Sequence, residues 1–122
     1  MTLHESAEMY LETIYRLTLQ QQSVRSVDVA EALNYSRPSV SRAVGILKKD
    51  GYLETTPDGF LCLTSLGKTT AADIYQRHII LSNALIALGV DPQTAAEDAC
   101  KIEHVISEKT LAAIKEHMKQ YQ

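Results

Sequence analysis

The sequence predicts a mainly α-helical chain: an N-terminal winged helix-turn-helix with a small β-hairpin wing, followed by an all-helical second half. Three observations carry this. Apolar residues recur at helical spacing from Glu5 to about residue 20 and again from Ser65 onward. Between these stretches lie two short helical segments parted only by Asn34-Tyr35-Ser36. After Gly51 the apolar period changes to two around Pro57-Asp58-Gly59, the signature of a hairpin turn.

Each element follows from its residues. The first helix places Ala7, Tyr10, Leu11, Ile14 and Leu17 on one face. After the polar residues 20–25, the segment Ser26-Val-Asp-Val-Ala-Glu-Ala-Leu predicts a short helix with Ser26 as its N-cap. Arg37-Pro38 restarts a helix to about Lys49, since proline fits a first turn, with Val40, Val44 and Leu47 inward. Residues 52–56 and 60–64 are the two strands. A long helix runs from Ser65 to Leu88 and stops at Gly89. Asp91-Pro92 caps another to about Ile106, and Ser107 caps a last one carrying Leu111, Ile114 and Met118. The expected division is 1–64 and 65–122.

Composition sets bounds. The chain has 122 residues, 45% of them hydrophobic, enough for one compact domain or two small packed subdomains. No apolar run approaches the ~18 residues of a membrane span. The N-terminus lacks the basic-then-apolar order of a secretory signal, and Cys62 and Cys100 are too few for a disulfide framework. A cytoplasmic, reducing location is expected. Net charge is −3, which alone argues against a nucleic-acid partner. The distribution argues the other way: residues 1–36 hold five acids and two bases, whereas Arg37 to Lys49 hold four bases and no acid. Screening confines each field to ~10 Å, so a basic strip on an acidic body still engages phosphates.

That strip is the candidate DNA reader. In Arg37-Pro-Ser-Val-Ser-Arg-Ala-Val-Gly-Ile-Leu-Lys-Lys the valines and Leu47 dock inward. Arg37, Ser39, Ser41, Arg42 and Lys48 are left on outer faces, with hydroxyls and arginines near the helix start where base edges and phosphates are met. Ser26 and Pro38 complete the expected DNA-binding set. The wing tip, Thr56-Pro-Asp-Gly, is acidic, which weakens it as a phosphate contact.

Coordinating side chains stand in three places. Met9 lies roughly 145° from the centre of the first helix's apolar stripe, with Glu12 beside it at i+3. Facing away from its own core, this methionine must pack against another element or ligate an ion. Cys100, Glu103 and His104 spread over ~100° of the expected helix surface. Glu103 falls among Ala96, Ala99 and Ile106, and a buried carboxylate needs a cation or a basic partner. Thiolate, carboxylate and imidazole together suit a divalent transition metal. His78 sits in the stripe Ala71, Ile74, Tyr75, Leu81, Leu85 and by itself reads as a core histidine. Cys62, between Leu61 and Leu63, is expected to pack, and His4 and His117 to be surface residues. A metal-dependent hydrolase would need a general base separate from the ligands, and none stands apart, so no enzymatic activity is expected.

Taken in order, Glu8-Met-Tyr-Leu-Glu-Thr-Ile-Tyr, Asp28-Val-Ala-Glu-Ala-Leu, Pro38-Ser-Val-Ser, Lys49-Asp-Gly-Tyr-Leu, Leu63-Thr-Ser-Leu-Gly-Lys, Arg77-His and Ala99-Cys-Lys-Ile-Glu-His resemble the diphtheria-toxin-repressor family. That family includes iron-dependent and manganese transport regulators, and the likeness covers nearly the whole chain. It implies that the second half is a dimerisation and metal-binding domain. It further implies a metal-dependent repressor that binds palindromic double-stranded operators as a homodimer and controls metal-homeostasis genes. The implied ligands are Met9, Glu12, His78, Cys100, Glu103 and His104. Soft Met and Cys donors favour Fe²⁺, then Mn²⁺, with Co²⁺, Ni²⁺ or Zn²⁺ as surrogates. No membrane partner and no organic cofactor are expected. The family's SH3-like third domain is expected to be missing, and Ser82 and Ala96 stand where an ancillary site would have an acid and a histidine. The alternative is a winged-helix regulator that needs no metal, its ligand-like residues serving packing.

Overall fold

A computed structural model describes residues 5–120. The elements in order are α1 (Glu5–Gln20), α2 (Ser26–Leu33), α3 (Arg37–Lys49), β1 (Leu53–Thr55), β2 (Leu61–Leu63), α4 (Ser65–Ala87), α5 (Pro92–Ile102) and α6 (Glu108–Lys119). This is the mainly helical, winged arrangement that the periodicity predicts. Two compact units result, residues 1–72 and 73–122, with the division falling inside α4.

The first unit is built on its aliphatic stripes. Tyr10, Leu11 and Ile14 of α1, Val29 and Ala30 of α2, and Val40, Val44 and Leu47 of α3 are buried in one cluster with Tyr52, Leu53 and Leu61. Each fully buried large aliphatic contributes ~1.5–3 kcal/mol. The helix-turn-helix bend is local chemistry. Asn34 takes the left-handed conformation at φ 56°, and Ser36 caps α3 by accepting the Ser39 N–H.

The hairpin pairs Leu53 with Leu63, Glu54 with Cys62 and Thr55 with Leu61, antiparallel. Period two sends Glu54 and Cys62 to the same outer face. Cys62 is therefore exposed, correcting the expectation that it packs. Sequence periodicity also misses Val24. It is buried, and its carbonyl accepts the Leu61 N–H at 2.7 Å, so the residues before α2 lie alongside β2.

The start of α4 belongs to the same unit. Thr64 caps it, its hydroxyl accepting the Gly67 N–H at 3.0 Å and donating to the Gly51 carbonyl at 2.6 Å. Gly67 lies so close to the Tyr52 carbonyl that a Cβ there would collide with backbone. Ala71, one turn on, joins the first core.

In the second unit the buried apolar residues are Ile74, Leu81, Ala95 and Ala99. Asp91 and Ser107 cap α5 and α6 as expected, accepting the Thr94 and Thr110 N–H groups. No residue of α6 is buried. Its Ile114 and Met118, with Leu81 and Leu85 of α4, Leu88 just beyond it and Ile106, line an apolar groove of about 630 Å³.

Two expected boundaries are corrected. Ser26 is the first helical residue of α2, not its cap. The cap is Arg25, whose N–H is taken by the Asp28 carboxylate at 2.8 Å, so the acid at N3 reaches back. α5 ends at Ile102 rather than Ile106, and Glu103 is its C-cap, with His104 in the turn that follows.

Candidate functional site

The second unit assembles a mixed-donor cluster around Glu103. This side chain is fully buried, at 0% exposure. One of its oxygens lies 2.9 Å from His78 Nδ1 on α4, and the other lies 3.3 Å from His104 Nε2. Cys100, exposed near the end of α5, brings its Sγ to 3.7 Å from the same His78 nitrogen. The donor atoms of His78, Cys100 and Glu103 all fall within 4.8 Å of one another. Atoms bound to one tetrahedral ion at ~2.0–2.3 Å stand ~3.3–3.8 Å apart, close to the separations of 2.9 and 3.7 Å about His78, so small side-chain shifts let a divalent cation fit the set.

Neighbouring residues hold the cluster in place. Arg77 donates to the Glu103 carbonyl at 2.7 Å, so adjacent residues of α4 grip both the backbone and the carboxylate of Glu103. The His78 ring lies parallel to Tyr75, with centroids 6.3 Å apart. Such outer contacts fix the orientation of an imidazole ligand. A buried carboxylate must be neutralised by protonated imidazole or by a cation, and sulfur, nitrogen and oxygen together select a transition metal over calcium or magnesium. The sequence reading of His78 alone as a core histidine is superseded here. It is half-buried, but it faces Glu103 and Cys100.

The other two expected ligands belong to α1 in the first unit. Met9 is half-buried, and its sulfur accepts the Tyr35 hydroxyl at 3.7 Å. The neighbour that the outward-facing methionine requires is thus the helix-turn-helix bend. Tyr35 also meets Tyr10 edge-on at 5.9 Å. Burial raises the Tyr10 phenol pKa, with Tyr35 adding to the effect and Arg42 opposing it. Glu12 is buried and pairs with Arg16, one turn along, at 3.0 Å.

On α3, Arg37, Pro38, Ser41, Arg42 and Lys48 are exposed, while Ser39 is half-buried against the Ser36 cap and Ser26 is half-buried at the start of α2. Sequence reasoning misses two residues. Arg77 was visible only as the neighbour of His78, and nothing in its spacing shows a bond to residue 103. Tyr35 stands in the segment that parts two helices, where an aromatic in a polar bend is itself a sign of packing. His117 is exposed, and His4 lies outside the described residues.

Residues 2–61 match the family model "Iron dependent repressor, N-terminal DNA binding domain", and residues 64–122 match "Iron dependent repressor, metal binding and dimerisation domain". The chain is 36% identical over 111 residues to the transcriptional regulator MntR of Escherichia coli, covering 91% of this chain and 72% of that protein. It is 32% identical to the diphtheria toxin repressor of Corynebacterium diphtheriae, covering 88% of this chain but only 48% of the relative. A manganese-dependent transcriptional repressor solved in complex with manganese superimposes with a TM-score of 0.83 at 26% identity, over 93% of this chain and 52% of that one. These relatives are regulators, not enzymes. Matched along both halves and more than a third identical to a relative across most of its length, this chain belongs to the iron-dependent repressor family and is a metal-dependent transcriptional repressor.

Proposed function

We propose that the chain works as a homodimer that binds a palindromic double-stranded operator when a divalent transition metal occupies His78, Cys100 and Glu103, with His104 beside them. The observation that carries this is the convergence of thiol, imidazole and carboxylate donors on a fully buried Glu103. When bound, the metal supplies the positive charge that the buried carboxylate requires. Fe²⁺ is the favoured ion and Mn²⁺ the next, because the Cys100 sulfur is a soft donor. Co²⁺, Ni²⁺ and Zn²⁺ serve as surrogates. Met9 and Glu12 enter the ligand set from their placement away from the apolar stripe of the first helix and from the family resemblance.

On the DNA side, α3 enters the major groove with Arg37, Pro38, Ser39, Ser41, Arg42 and Lys48, and Ser26 contacts the backbone. Two such helices in a dimer must stand ~34 Å apart to reach successive major grooves. The apolar groove beside α6 supports a second copy of this chain as the cover for that face. Metal shifts the population toward the DNA-competent dimer by its differential affinity, typically ~1–3 kcal/mol. The functional boundary is placed at 64/65, and the working compartment is the cytoplasm. No described helix is long and apolar enough to cross a membrane.

The test is a thermal-shift panel of Fe²⁺ (anaerobic), Mn²⁺, Co²⁺, Ni²⁺ and Zn²⁺, run beside selection of duplexes from a random pool with and without EDTA. Selection of a two-fold symmetric sequence only in the presence of metal is expected. Enrichment unchanged by EDTA contradicts the proposal.

A further inference from the structure

The wing has no cation of its own. Residues 55–59 are Thr-Thr-Pro-Asp-Gly, and Asp58 is exposed. A hairpin laid along a duplex would present a carboxylate to phosphates, which is unfavourable. The next residue, however, carries an arginine from elsewhere. The Arg25 guanidinium lies over the Phe60 ring, 4.3 Å from its centroid.

Arg25 is built into this position. Its own N–H is held by Asp28 at 2.8 Å, and the preceding Val24 carbonyl is held by Leu61 at 2.7 Å. Gly59, whose φ of +88° calls for glycine in the wing turn, lies beside the guanidinium, with Nη1 3.5 Å from where a Cβ would stand, an ordinary contact distance. A guanidinium held over a ring still carries N–H donors that match phosphate oxygens as a fork. Arg25 is exposed, and no described carboxylate forms an ion pair with it.

We propose that Arg25, held over Phe60, is the backbone-phosphate contact of the wing, lending the hairpin the positive charge that its own tip lacks. The inference rests on the DNA-binding reading of the first unit. It adds a residue, outside α3, that sets affinity without reading sequence.

The test is the salt dependence of binding, using the full metal-loaded chain and a labelled duplex of mixed sequence between ~50 and ~200 mM NaCl at fixed Mn²⁺. Arg25→Ala is expected to weaken binding alike on unrelated sequences. It should also lower the slope of log K against log salt by about 1. Arg25→Gln, which keeps a planar group over the ring without the charge, should lose the same slope. Phe60→Leu should keep the slope but bind more weakly, because the guanidinium is no longer pre-organised. An unchanged slope in both arginine variants, with only a fall in Tm, overturns the proposal and leaves Arg25 as a structural clamp. Wild-type affinity that does not vary with salt overturns this inference and the DNA-binding reading together.

Discussion

The two units solve the burial problem differently. Among the described residues, the first fully buries Leu11, Ile14, Val24, Val29, Val40, Leu47 and Leu53, large aliphatics drawn from α1, α2, α3, β1 and the residues before α2. The second fully buries Ile74 and Glu103 among its large side chains, its other core positions including the small Ala95 and Ala99. It leaves α6 without a buried residue beside an open apolar groove. A unit with a closed aliphatic core has what it needs to stand alone. One with a buried carboxylate and an uncovered apolar face needs a cation for the first and another chain for the second. The contrast separates a unit packed on its own aliphatic side chains from one that leaves a carboxylate and an apolar face to be matched by other groups.

Several changes break or sharpen this contrast. The largest effect is expected at Glu103. Glu103→Ala should abolish the metal-induced rise in Tm while far-ultraviolet circular dichroism keeps its helical signature, and a full metal response in this variant would refute its role. Leu11→Ala, in the first core, should cost ~2–5 kcal/mol with or without metal, measured by chemical denaturation. Next, Leu88→Glu, on the 81% exposed groove leucine, should weaken dimerisation about 10- to 100-fold by sedimentation without unfolding the first unit. Gly67→Ala should cost ~1–3 kcal/mol because the Tyr52 carbonyl must give way.

The smallest effect concerns acid. Hydrogen bonds from Thr94 hold the Asp91 carboxyl below its ordinary range. A lowered folded pKa means that this contribution is present above the unfolded value near ~4 and is lost as pH falls through the folded one. Asp91→Asn, which still accepts the Thr94 N–H, should flatten that limb of the stability–pH curve.

Much of the fold was legible because its signals are local. Asp91 and Ser107 are caps that announce their helices, Arg37-Pro38 announces the start of α3, Pro57-Asp58-Gly59 announces the turn, and the stripes of α1 to α3 announce a core. The errors arise where distant partners decide. Cys100-Lys-Ile-Glu-His-Val-Ile contains no helix breaker, so nothing in it marks the end of α5 at Ile102. Arg77, 26 residues earlier, takes the Glu103 carbonyl. Tyr35 meeting Met9, and Arg25 meeting Phe60, likewise depend on a turn and a hairpin that bring remote residues together. For the site, the donor chemistry was legible from Cys100, Glu103 and His104. That His78 joins Cys100 and Glu103 is implied by the family resemblance and seen in the geometry, because on its own it looks like any histidine in an apolar stripe.

The most direct test of the mixed-donor centre is an anaerobic Co²⁺ titration followed by absorption spectroscopy, on the wild-type chain and on Cys100→Ser. Thiolate-to-cobalt charge transfer should grow to one saturating endpoint in the wild type and be absent from the variant. An identical spectrum in both would contradict metal binding at Cys100.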